Sequence, residues 1–215
     1  MSLSRSSRHP PYITEFCYCS TVARAPIGRQ QLLDAARDEL VHAGGTLELS
    51  ALTRRTGLST GALYHHFGSK VGLLAAIWDD FYEGLSRAIA DDHLPTADWA
   101  TRERTRTHRF VVYHFDHPLA ALLLNRAAPD PGLTEVESNY IRNLADAAAT
   151  NIRRGQATGE VPADLDPDSA GAFVIGGLRD GIAQQLRTHP RPSADLTTDR
   201  LWRLTAAALS LPPSA

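Results

Sequence analysis

From Gly28 onward, apolar positions recur at three- and four-residue spacing along most of the chain, the period of a helix that buries one face. Leu33, Ala36 and Leu40 form such a stripe in a predicted helix over residues 28–43, which Gly44 is placed to end by turning left-handed. A short helix over residues 49–56 buries Leu49 and Leu52, Gly57-Leu58-Ser59 forms a turn, and a third helix covers residues 60–67. After Gly68, Ser69 is a suitable N-cap for a long helix with Leu74, Ile77, Trp78, Phe81 and Leu85 on one side. Further helices are predicted over about 97–114, 119–126, 134–156, 167–187 and 193–209, with Asp166 capping and Pro167 opening the fourth of them. Asp116-His117-Pro118 interrupts the series, and residues 127–132 and 158–162 read as loops. No stretch alternates as a strand does, and Gly and Pro are expected between helices rather than inside them. The predicted fold class is all-α.

Composition narrows the setting. The chain has 215 residues, 43% apolar and 21% charged, enough to build a core without a disulfide or structural metal. No apolar run reaches the roughly 18 residues that a membrane span needs, and no apolar stretch that could serve as a signal peptide follows the Ser/Arg-rich start. The expected setting is the cytoplasm, with no membrane partner. Residues 1–25 lack helical periodicity and are expected to form a disordered tail. Within it, Cys17 and Cys19 flank Tyr18, too close for a good disulfide and too few for zinc, and read as free thiols.

Charge is uneven: residues 1–70 sum to +3 and residues 71–215 to −5. That suits a protein whose head alone meets a polyanion. His108, His114 and His117 do not share a helical face with a carboxylate, so no metal site is expected. With no nucleophile motif or phosphate loop in the sequence, the reading includes no catalytic residue, no cofactor and no enzyme activity.

Two short helices joined by a three-residue turn form a helix-turn-helix, in which the first braces the second in the major groove of DNA. Gly57 supplies the positive φ of the turn, Leu58 plugs the angle, and Leu63 and Phe67 anchor the third helix inward. Thr60, Gly61, Tyr64 and His65 then face outward; all but Gly61 carry hydrogen-bonding side chains, and Gly61 permits close backbone approach. Lys70 begins the next helix, where its charge and the helix N-terminus both favour a phosphate. On periodicity alone, the same residues also fit the solvated faces of a plain helical hairpin.

The run Thr60-Gly61-Ala62-Leu63-Tyr64-His65-His66-Phe67-Gly68-Ser69-Lys70 resembles the signature of the TetR family of bacterial repressors. Residues 49–59 resemble that family's second helix and turn, and residues 29–36 its first helix. After the tail over 1–25, the resemblance implies a three-helix DNA-binding domain over 26–71 and a larger helical effector-binding and dimerisation domain over 72–215. It also implies the function: a DNA-binding transcriptional regulator, a homodimeric repressor that releases double-stranded operator DNA when an unknown small molecule binds. The expected DNA contacts are Ser50, Ser59, Thr60, Gly61, Tyr64, His65, His66 and Lys70. Glu48 departs from the pattern, standing where the family has Thr or Ser at the start of the second helix. A carboxylate can cap a helix but repels phosphate, which leaves Thr46 and Ser50 as the nearby hydroxyls.

An effector pocket is expected among the middle helices. Its candidate lining is Trp78, Phe110, Tyr113, His114, Leu122, Tyr140, Asn143 and Phe173, with Tyr82 and Arg179 beside them; ordinary core packing is the alternative for each. Ala170, Gly171, Gly176, Gly177 and Gly181, with Leu201, Leu204, Ala208 and Leu209, suit either a four-helix interface between subunits or close packing within one. Arg5, Arg8 and Arg24 fit a minor-groove arm or a plain tail. The alternative for the whole chain is an all-α small-molecule-binding protein or enzyme without DNA activity.

Overall fold

A computed structural model describes residues 28–57, 59–90, 98–125 and 131–211. The expectations for the tail, including Cys17, Cys19, Arg5, Arg8 and Arg24, and for Leu58, lie outside the described residues. Among those residues there are nine helices and no strand. They are α1 (Arg29–His42), α2 (Leu49–Thr56), α3 (Thr60–Phe67), α4 (Lys70–Ala88), α5 (Trp99–Asp116), α6 (Ala120–Leu124), α7 (Pro131–Thr158), α8 (Pro167–Arg187) and α9 (Ala194–Ala208). The chain is all-α, as its periodicity requires.

Local chemistry sets the boundaries. α1 closes with the N–H of Gly44 donating to Val41 O at 3.3 Å and that of Gly45 to Leu40 O at 2.8 Å, the paired bonds of a Schellman motif. Oxygen side chains open five helices: Ser59, Ser69, Asp98, Asp166 and Ser193 each accept a first-turn amide. Pro131 and Gly132, expected in a loop, instead begin the 28-residue α7. A proline in the first turn loses no helical hydrogen bond, so it opens the helix rather than preceding it.

The main core runs from Leu33, Leu40 and Leu52 through Leu73, Ile77, Trp78 and Phe81 of α4 to Ile175 and Ile182 of α8. A second cluster of Trp99, Ile152, Val161, Trp202 and Leu209 fills the far end. Charged links reinforce the head: Arg55 of α2 meets Glu39 of α1 at 2.7 Å, and Arg37 of α1 meets Asp80 of α4 at 2.5 Å.

The expectation that glycines fall between helices fails inside the body. Gly171 sits where α7 and α8 nearly touch: a β-carbon there would lie 2.6 Å from Ala145 O and 2.8 Å from Ala149 N. At Gly181 it would lie 2.4 Å from Leu201 Cδ2. Periodicity marks which face is buried but not how closely another backbone approaches it. Replacing Gly171 with Ala must push α8 off α7, with an expected loss of about 1–3 kcal/mol. Urea unfolding of the variant measures this directly, and an unchanged midpoint contradicts the close packing.

Candidate nucleic-acid interface and ligand cavity

The turn between α2 and α3 is made at Gly57, whose φ of 68° is the left-handed value that a branched side chain adopts only at a cost. Leu52 and Leu63 are fully buried and seat the two helices on the core. Phe67 is half-buried, with the Arg29 guanidinium 5.1 Å over its ring. With those anchors inward, Ser59, Thr60, Gly61, Tyr64, His65, His66 and Lys70 are all exposed, and so is Ser50 on α2. The hydroxyls of Ser59 and Ser69 accept helix amides, which leaves each O–H proton for an acceptor such as a phosphate oxygen. Glu48 takes the N-cap position of α2 by backbone only: its side chain is exposed and makes no cap hydrogen bond. Its carboxylate is therefore a bare negative charge beside this face.

A cavity of about 440 Å³ lies in the body, bounded by α4, α5, α7, α8 and α9. Phe110, Tyr140 and Asn143 of the expected set line it, as does Tyr82. Tyr82 and Tyr140 stack with centroids 4.7 Å apart and planes 11° from parallel. Behind them, Tyr140 Oη donates to Asp79 Oδ1 at 3.0 Å, and Arg179 Nη2 donates to Glu137 Oε1 at 2.9 Å. Burial pushes the Tyr82 phenol up to about 12 against the opposing pull of Arg179, so it stays neutral.

Sequence reasoning missed the two indoles of the cavity, Trp99 and Trp202. Trp99 follows a helix cap and Trp202 lies in a helix assigned to subunit contact; periodicity marks both as inward without naming what they face. The other expected lining residues stand away from the cavity. Trp78 and His114 are core, each 2% exposed. Tyr113 donates to Phe81 O at 2.7 Å and packs against Gly84, while Leu122 packs beside Gly45. Phe173 is 67% exposed, on the opposite side of α8 from the core, so single-helix periodicity assigned it the wrong neighbours.

The family model for bacterial regulatory proteins of the tetR family matches residues 32–77, the span from α1 into α4. The chain is also 34% identical over 142 residues to the HTH-type transcriptional regulator BetI of Cronobacter sakazakii, covering 62% of this chain and 69% of that protein. The chain belongs to the TetR family. It is a DNA-binding transcriptional regulator. The fold extends over nearly the whole body of its TetR relatives: a transcription regulator from Shewanella sp. PV-4 superimposes with a TM-score of 0.67 at 21% identity, covering 84% of this chain and 96% of that one. FadR from Bacillus subtilis, solved in complex with stearoyl-CoA, gives a TM-score of 0.67 at 15% identity, covering 84% and 99%.

Beyond the cavity, the TetR body bears an exposed apolar strip on α8 and α9. Phe173 and Leu204 are each 67% exposed, and a β-carbon at Gly176 or Gly177 would meet nothing within 4 Å. The small residues expected to act together thus divide. Gly171 and Gly181 pack within the subunit, as do Leu201 and Leu209, whereas Gly176, Gly177 and Leu204 face out.

His114 is buried among the rings of Phe81, Phe110 and Tyr113, with its Nδ1–H donating to Phe110 O at 2.7 Å. Burial is the main cause that lowers its pKa from 6.5 to about 4. Below pH 6.5 the unfolded chain takes up a proton at this site that the folded protein refuses until about pH 4. Stability therefore falls as pH drops through that window, by on the order of 3 kcal/mol from this group alone. Burial lowers His117 too, adding in the same direction. Urea titrations between pH 7 and 4.5 should show a shallower acid loss for His114→Leu than for the unmodified protein. Equal slopes would place the acid sensitivity elsewhere.

Proposed function

We propose that the protein is a ligand-responsive repressor, a homodimer that grips double-stranded operator DNA with α3 of each subunit and releases it when a small molecule fills the cavity. The observation that carries this reading is the joining of an outward-facing α3 to a cavity-bearing body through α4, whose side chains belong to one continuous core. In this reading residues 26–71 are the DNA-binding domain and residues 72–215 the effector-binding and dimerisation domain. Among the described residues no helix is long and apolar enough to cross a membrane, and the regulator works in the cytoplasm, on its DNA.

Ser50, Ser59, Thr60, Gly61, Tyr64, His65, His66 and Lys70 form the DNA face. Phosphate contacts from Ser59, Lys70 and the Tyr64 hydroxyl set the register, and Thr60, His65 and the close approach at Gly61 read the groove. The strip of Phe173, Gly176, Gly177 and Leu204 packs against its two-fold copy, since a self-complementary apolar face is what an isologous dimer buries. Two recognition helices then meet successive major grooves about 34 Å apart.

The cavity speaks to the head through two adjacent residues of α4. Tyr140 in the cavity wall holds Asp79, and the next residue, Asp80, holds Arg37 of α1. A ligand that displaces the Tyr82–Tyr140 stack shifts α4 and moves α1 with it, favouring a head arrangement that no longer fits DNA.

A gel shift with DNA flanking the protein's own gene, run across a salt series, tests the DNA face. Lys70→Ala should weaken binding and reduce the salt slope by about 1, Tyr64→Ala should weaken it about tenfold or more, and Glu48→Ser should strengthen it. Binding that is indifferent to all three substitutions contradicts the assignment of this face and places the contacts elsewhere on the surface. Sedimentation tests the dimer: Phe173→Glu should convert it to a monomer, because a charge is then buried without a partner. A variant that stays dimeric at micromolar concentration rules out this face.

A further inference from the structure

We propose that the effector is an electrically neutral, aromatic small molecule carrying one or two hydrogen-bonding groups. This deepens the ligand-responsive reading above and rests on it. Three features of the cavity lead to it.

The first is shape. Trp99, Trp202 and Phe110 are buried aromatic residues that line the cavity, and the near-parallel Tyr82–Tyr140 pair stands in its wall. Aromatic walls of this kind favour a flat ligand that stacks or meets them edge to face. At about 440 Å³ the space suits a molecule of ordinary drug size.

The second is charge. The charged residues in the lining are Glu103, Arg106 and Arg154, and each already has a partner. Arg106 is paired with Glu103, and its Nε also donates to Ile89 O at 3.2 Å. Arg154 Nη1 donates to Asn151 Oδ1 at 3.3 Å. A charged ligand would have to give up its hydration and, at Arg106 and Glu103, break an ion pair as well, and an ion in so apolar a site is strongly disfavoured. A neutral ligand leaves the pairs intact.

The third is the set of polar groups that remain. Trp99 Nε1, Thr107 Oγ1, Thr150 Oγ1 and Tyr140 Oη already donate to Asn151 O, Glu103 O, Asp146 O and Asp79. By contrast, the side chains of Thr205, which is buried, and of Ser86 and Asn143, which are exposed, line the cavity without a side-chain hydrogen bond to another described residue. One hydroxyl deep in the pocket, with a second hydroxyl and an amide nearer the surface, suits a ligand with a polar group towards each end, or towards one of them.

Fluorescence titration of the full-length protein with three naphthalene probes tests the charge class: neutral N-phenyl-1-naphthylamine, anionic 8-anilinonaphthalene-1-sulfonate, and a naphthalene bearing a trimethylammonium group. The neutral probe should bind about tenfold or more tightly than either charged one. Ala147, exposed in the cavity lining, offers a blocking site that leaves the core intact; Ala147→Trp should weaken the neutral probe about tenfold. Thr205→Val, which keeps the side-chain shape, should weaken 1-naphthol severalfold more than naphthalene. If a charged probe binds as tightly as the neutral one and Ala147→Trp blocks it, the neutral class is overturned while the ligand-binding reading survives. If no probe binds, or Ala147→Trp changes nothing, the cavity is not the ligand site and the reading beneath the proposal falls with it.

Discussion

The architecture depends on α4 being apolar on more than one side. Eight of its 19 residues are buried, among them Leu73, Ile77, Trp78, Phe81 and Leu85. A helix with so wide an apolar surface cannot rest on a single neighbour. It packs on α1 and α3 and also on α5 and α7, which makes it the common wall of head and body. Ser69 fixes where it starts, one residue before Lys70, so the same capped turn that begins the shared helix also presents a cation at the edge of the proposed DNA face.

For the ligand response proposed above, this sharing supplies a physical means. The Arg37–Asp80 pair is partly solvated and adds little stability by itself, but it fixes the position of α1 relative to α4. At the preceding residue of α4, Tyr140 holds Asp79 from the cavity wall. Coupling between sites of this kind is typically about 1–3 kcal/mol, a scale that a few hydrogen bonds and one aromatic stack are able to supply. No rigid lever is needed, only two arrangements of α4 that the ligand and the DNA prefer differently.

Much of this was legible in the sequence because the head is built from local signals. Gly44, Gly57, Ser59, Gly68 and Ser69 each mark a boundary through backbone conformation or capping, and α2 and α3 run over the predicted residues. Their outward residues follow once Leu52, Leu63 and Phe67 are placed inward. The body was legible only as a series of helices. Which inward residue meets a cavity, a neighbouring helix or a second subunit depends on packing between segments far apart in sequence, and a helical stripe carries no record of its partner. Hence Trp99 and Trp202 escaped notice, His114 and Trp78 proved to be core, and Phe173 turned outward.

If α4 makes head and body one cooperative unit, native-state hydrogen exchange is the most direct test. Across a series of sub-denaturing urea concentrations, the slowest amides of α1 and α3 should converge on the same opening free energy and urea dependence as those of α8, as members of one global unfolding unit do. Head amides that exchange through a separate opening, lower in energy and weakly dependent on urea, would show a head that unfolds on its own and contradict the shared core.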